Sequence, residues 1–391
     1  MTLVEVTNKQ TEKEFIKLPV RLYKGEENWI RPLDQDIRDV FDPAKNKHFR
    51  NGEATRWILR DDKGLAIGRI AAFINGKTAH TESQPTGGLG FFECINDEKA
   101  AFALFDQAIA WLKERGMEAV DGPINFGDRN SWWGCLSEGF SKPNFQVNWN
   151  FAYYNDLFKA YGFGVYFKQF TYQRPMGSEV DLAPRFYERA SETLANKDYE
   201  FRHIRKGEFN EAHKYFHEVY NKAWAGHSGV KPMNLDQSRR LFKSLKMVAD
   251  NRLIWYAFYK GVPVAFFISI PDLNQVIQHL NGRTDWLSKL QFMYLLKVKK
   301  VCNKGLGIIF GVVPDHQKKG VEGGLVISYV KNMAWKKGFP YKDIEMNWIG
   351  DFNPKMIRVV EQVGGQLLKT HITYRKLFDE TKEFERAPVI E

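Results

Sequence analysis

The chain has 391 residues, enough for two or three domains, and with 43% apolar and 27% charged residues it has the balance of an ordinary globular protein. Against 47 Asp and Glu stand 57 Lys and Arg, a net charge of +10 spread along the chain; this favours anionic ligands and makes nucleic acid an unlikely partner, since dedicated binders cluster their cations. No apolar run approaches the ~20 residues a membrane helix needs, so no membrane span is expected.

The N-terminal segment, Met1 to Lys13, is polar and carries both charge signs, which does not suit a secretory signal. Cys94, Cys135 and Cys302 are odd in number and far apart, and read as thiols of a reducing, cytoplasmic compartment. No metal is expected, because His213 and His217, four apart on an expected helix, lack a third ligand.

In chain order, Trp57-Ile58-Leu59 and Ile67 to Ile74 flank Asp61-Asp62-Lys63-Gly64, a hairpin signal. An apolar strand at Leu89 to Cys94 leads through Ile95-Asn96-Asp97-Glu98 into a helix to about Arg115. Phe102, Phe105, Ile109 and Leu112 form the buried stripe of this helix, and Gly116 stops it. A strand at Ala119 to Gly122, a helical turn at Asn155 to Tyr161 and a strand at Tyr166 to Tyr172 complete the first half. Between them, Ile124 to Asn150 is rich in Gly, Asn, Trp and Phe. Long irregular segments of this kind tend to be binding loops, and Trp132-Trp133 either cap a pocket or pack one half on the other.

The second half repeats this order. Leu253 to Tyr259 and Val262 to Ile270 flank Lys260-Gly261 as a second hairpin. The densest basic block, Lys297-Val298-Lys299-Lys300, reads as a solvated helix face. The apolar run Leu306 to Val313 reads as a buried strand that ends at Pro314. A polar loop follows, with Gln317, Lys318, Lys319, Gly320, Glu322, Gly323 and Gly324, and then Val326, Tyr329, Val330 and Met333 recur at helical spacing. A strand, a basic glycine loop and a helix start present backbone N–H groups and a positive dipole end to an anion, and phosphate is the chemistry that wants this. Lys336-Lys337-Gly338 closes the helix. A strand at Asp343 to Ile349, a helix begun by Asn353-Pro354 and a final strand from Gln366 to Leu377 follow.

From about Tyr199 to Phe378 the chain resembles the GNAT superfamily of acyl-CoA-dependent N-acyltransferases, and the first half looks like a degenerate copy. The resemblance rests on the strand ending Val312-Val313-Pro314, then Gln317, Gly320 and the Asn353-started helix. Glu322 stands where the family pattern has a second small residue. It implies an α+β (mixed α/β) fold of two GNAT-like domains, each a mostly antiparallel mixed sheet flanked by helices. Residues 1–175 would form a degenerate domain without a pyrophosphate loop, 176–197 a linker and 198–391 the acyl-CoA-binding domain.

It implies further that acetyl-CoA or another acyl-CoA is bound through Val312, Val313, Gln317, Lys318, Lys319, Gly320, Gly323, Gly324 and Asn353, for transfer to a small-molecule or peptide amine. Such transfer needs a base, an oxyanion donor and an acid for the leaving thiolate. Glu345, on the strand after the loop helix, is the first candidate base. His227, in Ala225-Gly226-His227-Ser228-Gly229, is the second. The family's acid tyrosine falls at Val360 and Glu361 here, which leaves Tyr374 as the substitute. A non-catalytic protein of the same shape and an aminoacyl-tRNA-dependent transferase remain as other readings, and the oligomeric state is open.

Overall fold

The computed structural model describes residues 1–390 except 82–83, 177–181, 225–231, 335 and 337. Among the described residues thirteen strands form one sheet: β1 Thr2–Glu5, β2 Gly52–Arg60, β3 Ala66–Asn75, β4 Thr86–Cys94, β5 Ala119–Gly122, β6 Cys135–Glu138, β7 Gly164–Pro175, β8 Tyr199–His203, β9 Ile254–Tyr259, β10 Val262–Pro271, β11 Lys304–Val312, β12 Asp343–Gly350 and β13 Gln366–Leu377. The helices are α1 Lys9–Leu22, α2 Asp34–Val40, α3 Glu98–Lys113, α4 Tyr153–Ala160, α5 Pro184–Ala195, α6 Phe209–Trp224, α7 Leu235–Leu245, α8 Asn274–Ile277, α9 Trp286–Met293, α10 Val321–Tyr329 and α11 Pro354–Gln362. None of the described helices is long and apolar enough to cross a membrane.

The two hairpins, β2–β3 and β9–β10, form where turn residues interrupt apolar runs. Each hairpin is followed by a strand, a helix and a parallel strand, with α8 and α9 inserted between the hairpin and the strand in the second half. The parallel pairs β4–β5 and β11–β12 are each short, Thr86–Gly88 against Ala119–Asp121 and Lys304–Gly307 against Asp343–Met346. The remaining pairs are antiparallel, so the sheet is mixed and mostly antiparallel.

The strand order is β1-β2-β3-β4-β5-β13-β7-β12-β11-β10-β9-β8, with β6 beside β13. The last strand of the chain therefore pairs with β5 of the first half, and β7 of the first half pairs with β12 of the second. Each half lends a strand across the middle. Residues 176–197 separate the two repeats in sequence, but the sheet runs unbroken past them.

Packing follows the exchange. The larger core gathers β9 to β12 with α6, α7 and α10 around Trp255, Tyr256, Phe266 and Phe216. The first-half core, around Phe105, Leu104 and Phe158, also contains Ile372 and Tyr374 of β13. Tyr374 is fully buried, stacks on Phe158 at 5.1 Å, and its hydroxyl donates to Asn155 Oδ1 at 2.9 Å.

Candidate functional site

Past Gly307 and Met346 the strands β11 and β12 stop pairing and diverge. The cause lies in β12, whose pairing with β7 shifts register between Met346 and Ile349, with Trp348 held at φ +66°. A bulge of this kind bends a strand away from its neighbour. The gap opens into a cleft of about 270 Å³, roofed by α10 and α11 and lined mainly by apolar side chains, among them Phe267, Phe310, Val326, Met346, Met356 and Val360. Its polar groups are few, on Arg174, Glu322, Tyr329, Asn347, Trp348 and Asn353. This is the make-up of a small-molecule site, apolar walls with a handful of placed polar groups.

The glycine loop stands at the end of β11, as the sequence predicts. The Val313 N–H donates to the Val264 carbonyl at 2.9 Å, and Gln317 Nε2 folds back to the Val312 carbonyl at 3.0 Å. Lys318 takes φ +63° and Gly320 φ +83°, which turns the chain into α10. Gln317, Lys318 and Lys319 are exposed.

Two features differ from an open phosphate cradle. Glu322, in the first turn of α10, sets a carboxyl at the helix start; burial raises its pKa, and the nearby Lys318 and Glu322 backbone N–H groups offset this only in part. The glycines, moreover, answer to packing. A Cβ on Gly320 would lie 2.4 Å from the Arg189 carbonyl of α5, one on Gly323 2.6 Å from Ala190, and one on Gly324 2.6 Å from the Phe201 ring. The Thr193 hydroxyl of α5 also donates to the Lys319 carbonyl. Asn353 caps α11 by accepting from the Met356 N–H at 3.1 Å, and it borders the cleft.

Glu345 is almost fully buried. It is absent from the cleft lining, whereas its neighbours Ile344 and Met346 are part of it, as the alternation of a strand requires. Its carboxylate accepts from Lys304 Nζ at 2.7 Å, Asn144 Nδ2 at 2.9 Å and Lys369 Nζ at 3.4 Å. Burial raises its pKa, but Lys369, Lys304 and Asn144 outweigh that and hold it below the ordinary carboxylate value. Nearby Asp272 is pushed up to about 7, first by burial and then by Glu345.

Asp272 and Asn274 pin the first-half segment Pro143–Phe145. Asp272 Oδ1 accepts from the Phe145 N–H at 2.9 Å, and Asn274 Nδ2 donates to the Asn144 carbonyl at 2.8 Å. Through Asn144 the segment also reaches Asn347, with 2.8 and 2.7 Å bonds between the two amides. Part of the long irregular stretch thus closes the far side of the sheet beneath the cleft. Trp132 and Trp133 face two other cavities, the first built by first-half residues and the second shared with Phe352 and Arg375 of the second half.

His227 lies outside the described residues. Tyr374 sits in the first-half core, where burial raises its pKa, and does not border the cleft. The sequence reading passed over His371, on β13. It is buried beside Asn347 and Trp348, which also border the cleft, and its Nε2 bonds to the Asn148 carbonyl at 3.0 Å. Burial pushes its pKa down to about 4. A carbonyl only accepts, so Nε2 carries the proton and Nδ1 is left as an acceptor. His213 and His217 form no metal group with other described residues.

A chain that twice runs through a hairpin, a strand, a helix and a parallel strand, in one sheet that opens between its central parallel strands, has the tandem GNAT fold. Among solved structures, a tandem GNAT protein from the clavulanic acid biosynthesis pathway superposes with a TM-score of 0.53 at 10% identity, over 97% of this chain and 99% of that one. By sequence, the chain is 27% identical to a bacterial ceramide synthase from Caulobacter vibrioides, over 96% of this chain and 97% of that protein. It is 28% identical to the protein YghO of Escherichia coli, over 94% and 93%. No family model matches the chain.

Proposed function

We propose that the chain is an acyl-CoA-dependent N-acyltransferase whose donor carries a long acyl chain and whose acceptor is a long-chain amino alcohol. The observation that carries this is the apolar cleft between β11 and β12, which is larger and greasier than an acetyl group needs. The similarity to a protein named for making ceramide, an N-acylated long-chain amino alcohol, supports the choice of acceptor. In the reaction the acceptor nitrogen bonds to the acyl carbon, the C–S bond breaks, and the CoA thiolate leaves. One proton passes from nitrogen to a base, and one must reach the sulfur.

Of the candidate bases, neither of which lines the cleft itself, His371 has an acceptor nitrogen to spare one layer behind Asn347 and Trp348, whereas both Glu345 oxygens already accept from charged or amide donors. The backbone cradle, with Lys318 and Lys319 beside it, would hold the pyrophosphate once the Glu322 carboxylate swings out. Glu322 in its present place favours a second reading, a non-catalytic acyl-chain carrier of GNAT shape. The buried free thiols Cys94, Cys135 and Cys302 support a reducing cytoplasm as the location.

The test is to incubate the purified protein with palmitoyl-CoA or acetyl-CoA and sphinganine, and to follow amide by mass spectrometry and free thiol by colorimetry. Amide from the long-chain donor in preference to acetyl supports the reading. Binding of palmitoyl-CoA without any amide, over a panel of long-chain and short amines, replaces it with the carrier.

A further inference from the structure

The basic block at Lys297–Lys300 belongs to a surface that the cleft does not account for. Helix α9 runs on without a break through a wider turn, Tyr294–Lys299, and stops at Lys300 with φ +53°. Ser288, Leu295 and Leu296 point into the protein. The other side carries Trp286 (68% exposed), Leu287 (57%), Leu290 (59%), Tyr294 (56%) and Val298 (68%). At 100° per residue Trp286, Leu287, Leu290 and Tyr294 fall within an arc of about 100°, and Val298 follows Tyr294 by about one of the wider turns.

A single exposed Leu is ordinary, but five large apolar side chains on one face of one helix are not. Lysines flank the stripe: Lys289, Lys297, Lys299 and Lys300 are all exposed, and Asp285, the helix cap, is the acid at its start. Lys297 also reaches the Ala249 carbonyl at 3.3 Å.

We propose that the exposed face of residues 286–299 docks the protein on an anionic lipid bilayer. A Trp, a Tyr and three aliphatic side chains between lysines are the composition of a helix that lies in the interface, with its apolar side in the acyl boundary and its ammonium groups among the phosphates. Charge decides among occupants. A second copy would set these lysines against their own equivalents, on a chain already at +10, whereas anionic headgroups complement them. The inference stands apart from the proposed reaction, since docking needs no turnover.

The test is flotation of the full-length protein with vesicles of phosphatidylcholine alone or mixed with phosphatidylglycerol. The wild type is expected to float with the mixed vesicles and to be released by high salt. Leu290→Glu and Trp286→Ala should each lower the bound fraction at least tenfold, Lys289→Glu should weaken it further, and Leu65→Glu, at an exposed apolar residue on the β2–β3 turn, should leave it unchanged. Thermal melts check that each variant is folded. Failure of the wild type to float, or flotation that survives Leu290→Glu and Trp286→Ala, overturns the proposal. So does self-association lost in those variants without lipid binding, which would make the face a contact between copies.

Discussion

Glu345→Gln separates a structural anchor from a general base. The carboxylate neutralises Lys369, which is 1% exposed, and Lys304 beside it. A glutamine keeps the size and the Asn144 bond but leaves a buried ammonium without its counter-charge. Removing one partner of a buried pair costs about 3–5 kcal/mol, which for a chain of this length lowers the melting temperature by roughly 4–6 °C. The cost should be recovered in large part by adding Lys369→Met, because the charge left behind is then gone. Differential scanning fluorimetry on the two single variants and the double variant measures the coupling. If instead Glu345 is the base, turnover falls roughly 10²–10⁴-fold while the melting temperature holds. An unchanged melting temperature with turnover lost would refute the anchor reading.

Glu322→Gln removes the internal anion from the loop while keeping its shape. Calorimetry should then show CoA binding roughly tenfold tighter, about 1.4 kcal/mol, and equal or weaker binding would mean that the loop is no phosphate site. Gly307→Leu fills the cleft floor, where even a Cβ meets Met346 Cγ at 3.3 Å, so use of palmitoyl-CoA should fall about tenfold or more relative to acetyl-CoA in the amide assay. For His371, burial sets the folded-state pKa at about 4 against an ordinary 6.5. The wild type therefore loses stability as pH falls from about 6.5 towards 4, by roughly 3 kcal/mol in all. His371→Gln lacks that loss, so its melting-temperature deficit should narrow or reverse between pH 7 and about pH 5, and in the amide assay its turnover should fall.

Much of the second half was legible because its elements follow local rules. The Val312–Gly320 turn, the Asn353 cap and the paired hairpins announce themselves through proline, glycine and apolar runs. The side chains that meet were not legible, because long-range register decides them. Glu345 lies on the expected strand, yet its partner Asn144 comes from two hundred residues earlier. Tyr374 sits on the expected last strand, yet that strand pairs with β5, so its ring stacks in the other core. The glycines at 320, 323 and 324 stand out by pattern, but their close packing on Arg189, Ala190 and Phe201 was not legible, since α5 lies in a stretch that reads only as a linker.

The strand exchange also accounts for what the first half contributes. Its own turn between β4 and α3 offers no glycine, and Asp97 caps the helix, accepting from the Ala100 N–H at 2.7 Å, where an anion would otherwise sit. The half supplies structure to its neighbour instead. β7 is the strand against which β12 shifts register, and without that shift β12 has no reason to leave β11 at Met346. The segment around Asn144 holds Glu345 and Asn347 from below, at the level where the cleft begins. In return β13 brings His371 against the Asn148 carbonyl of the first half. The opening in the sheet is thus made by residues of both halves, and neither repeat alone contains the parts that shape it.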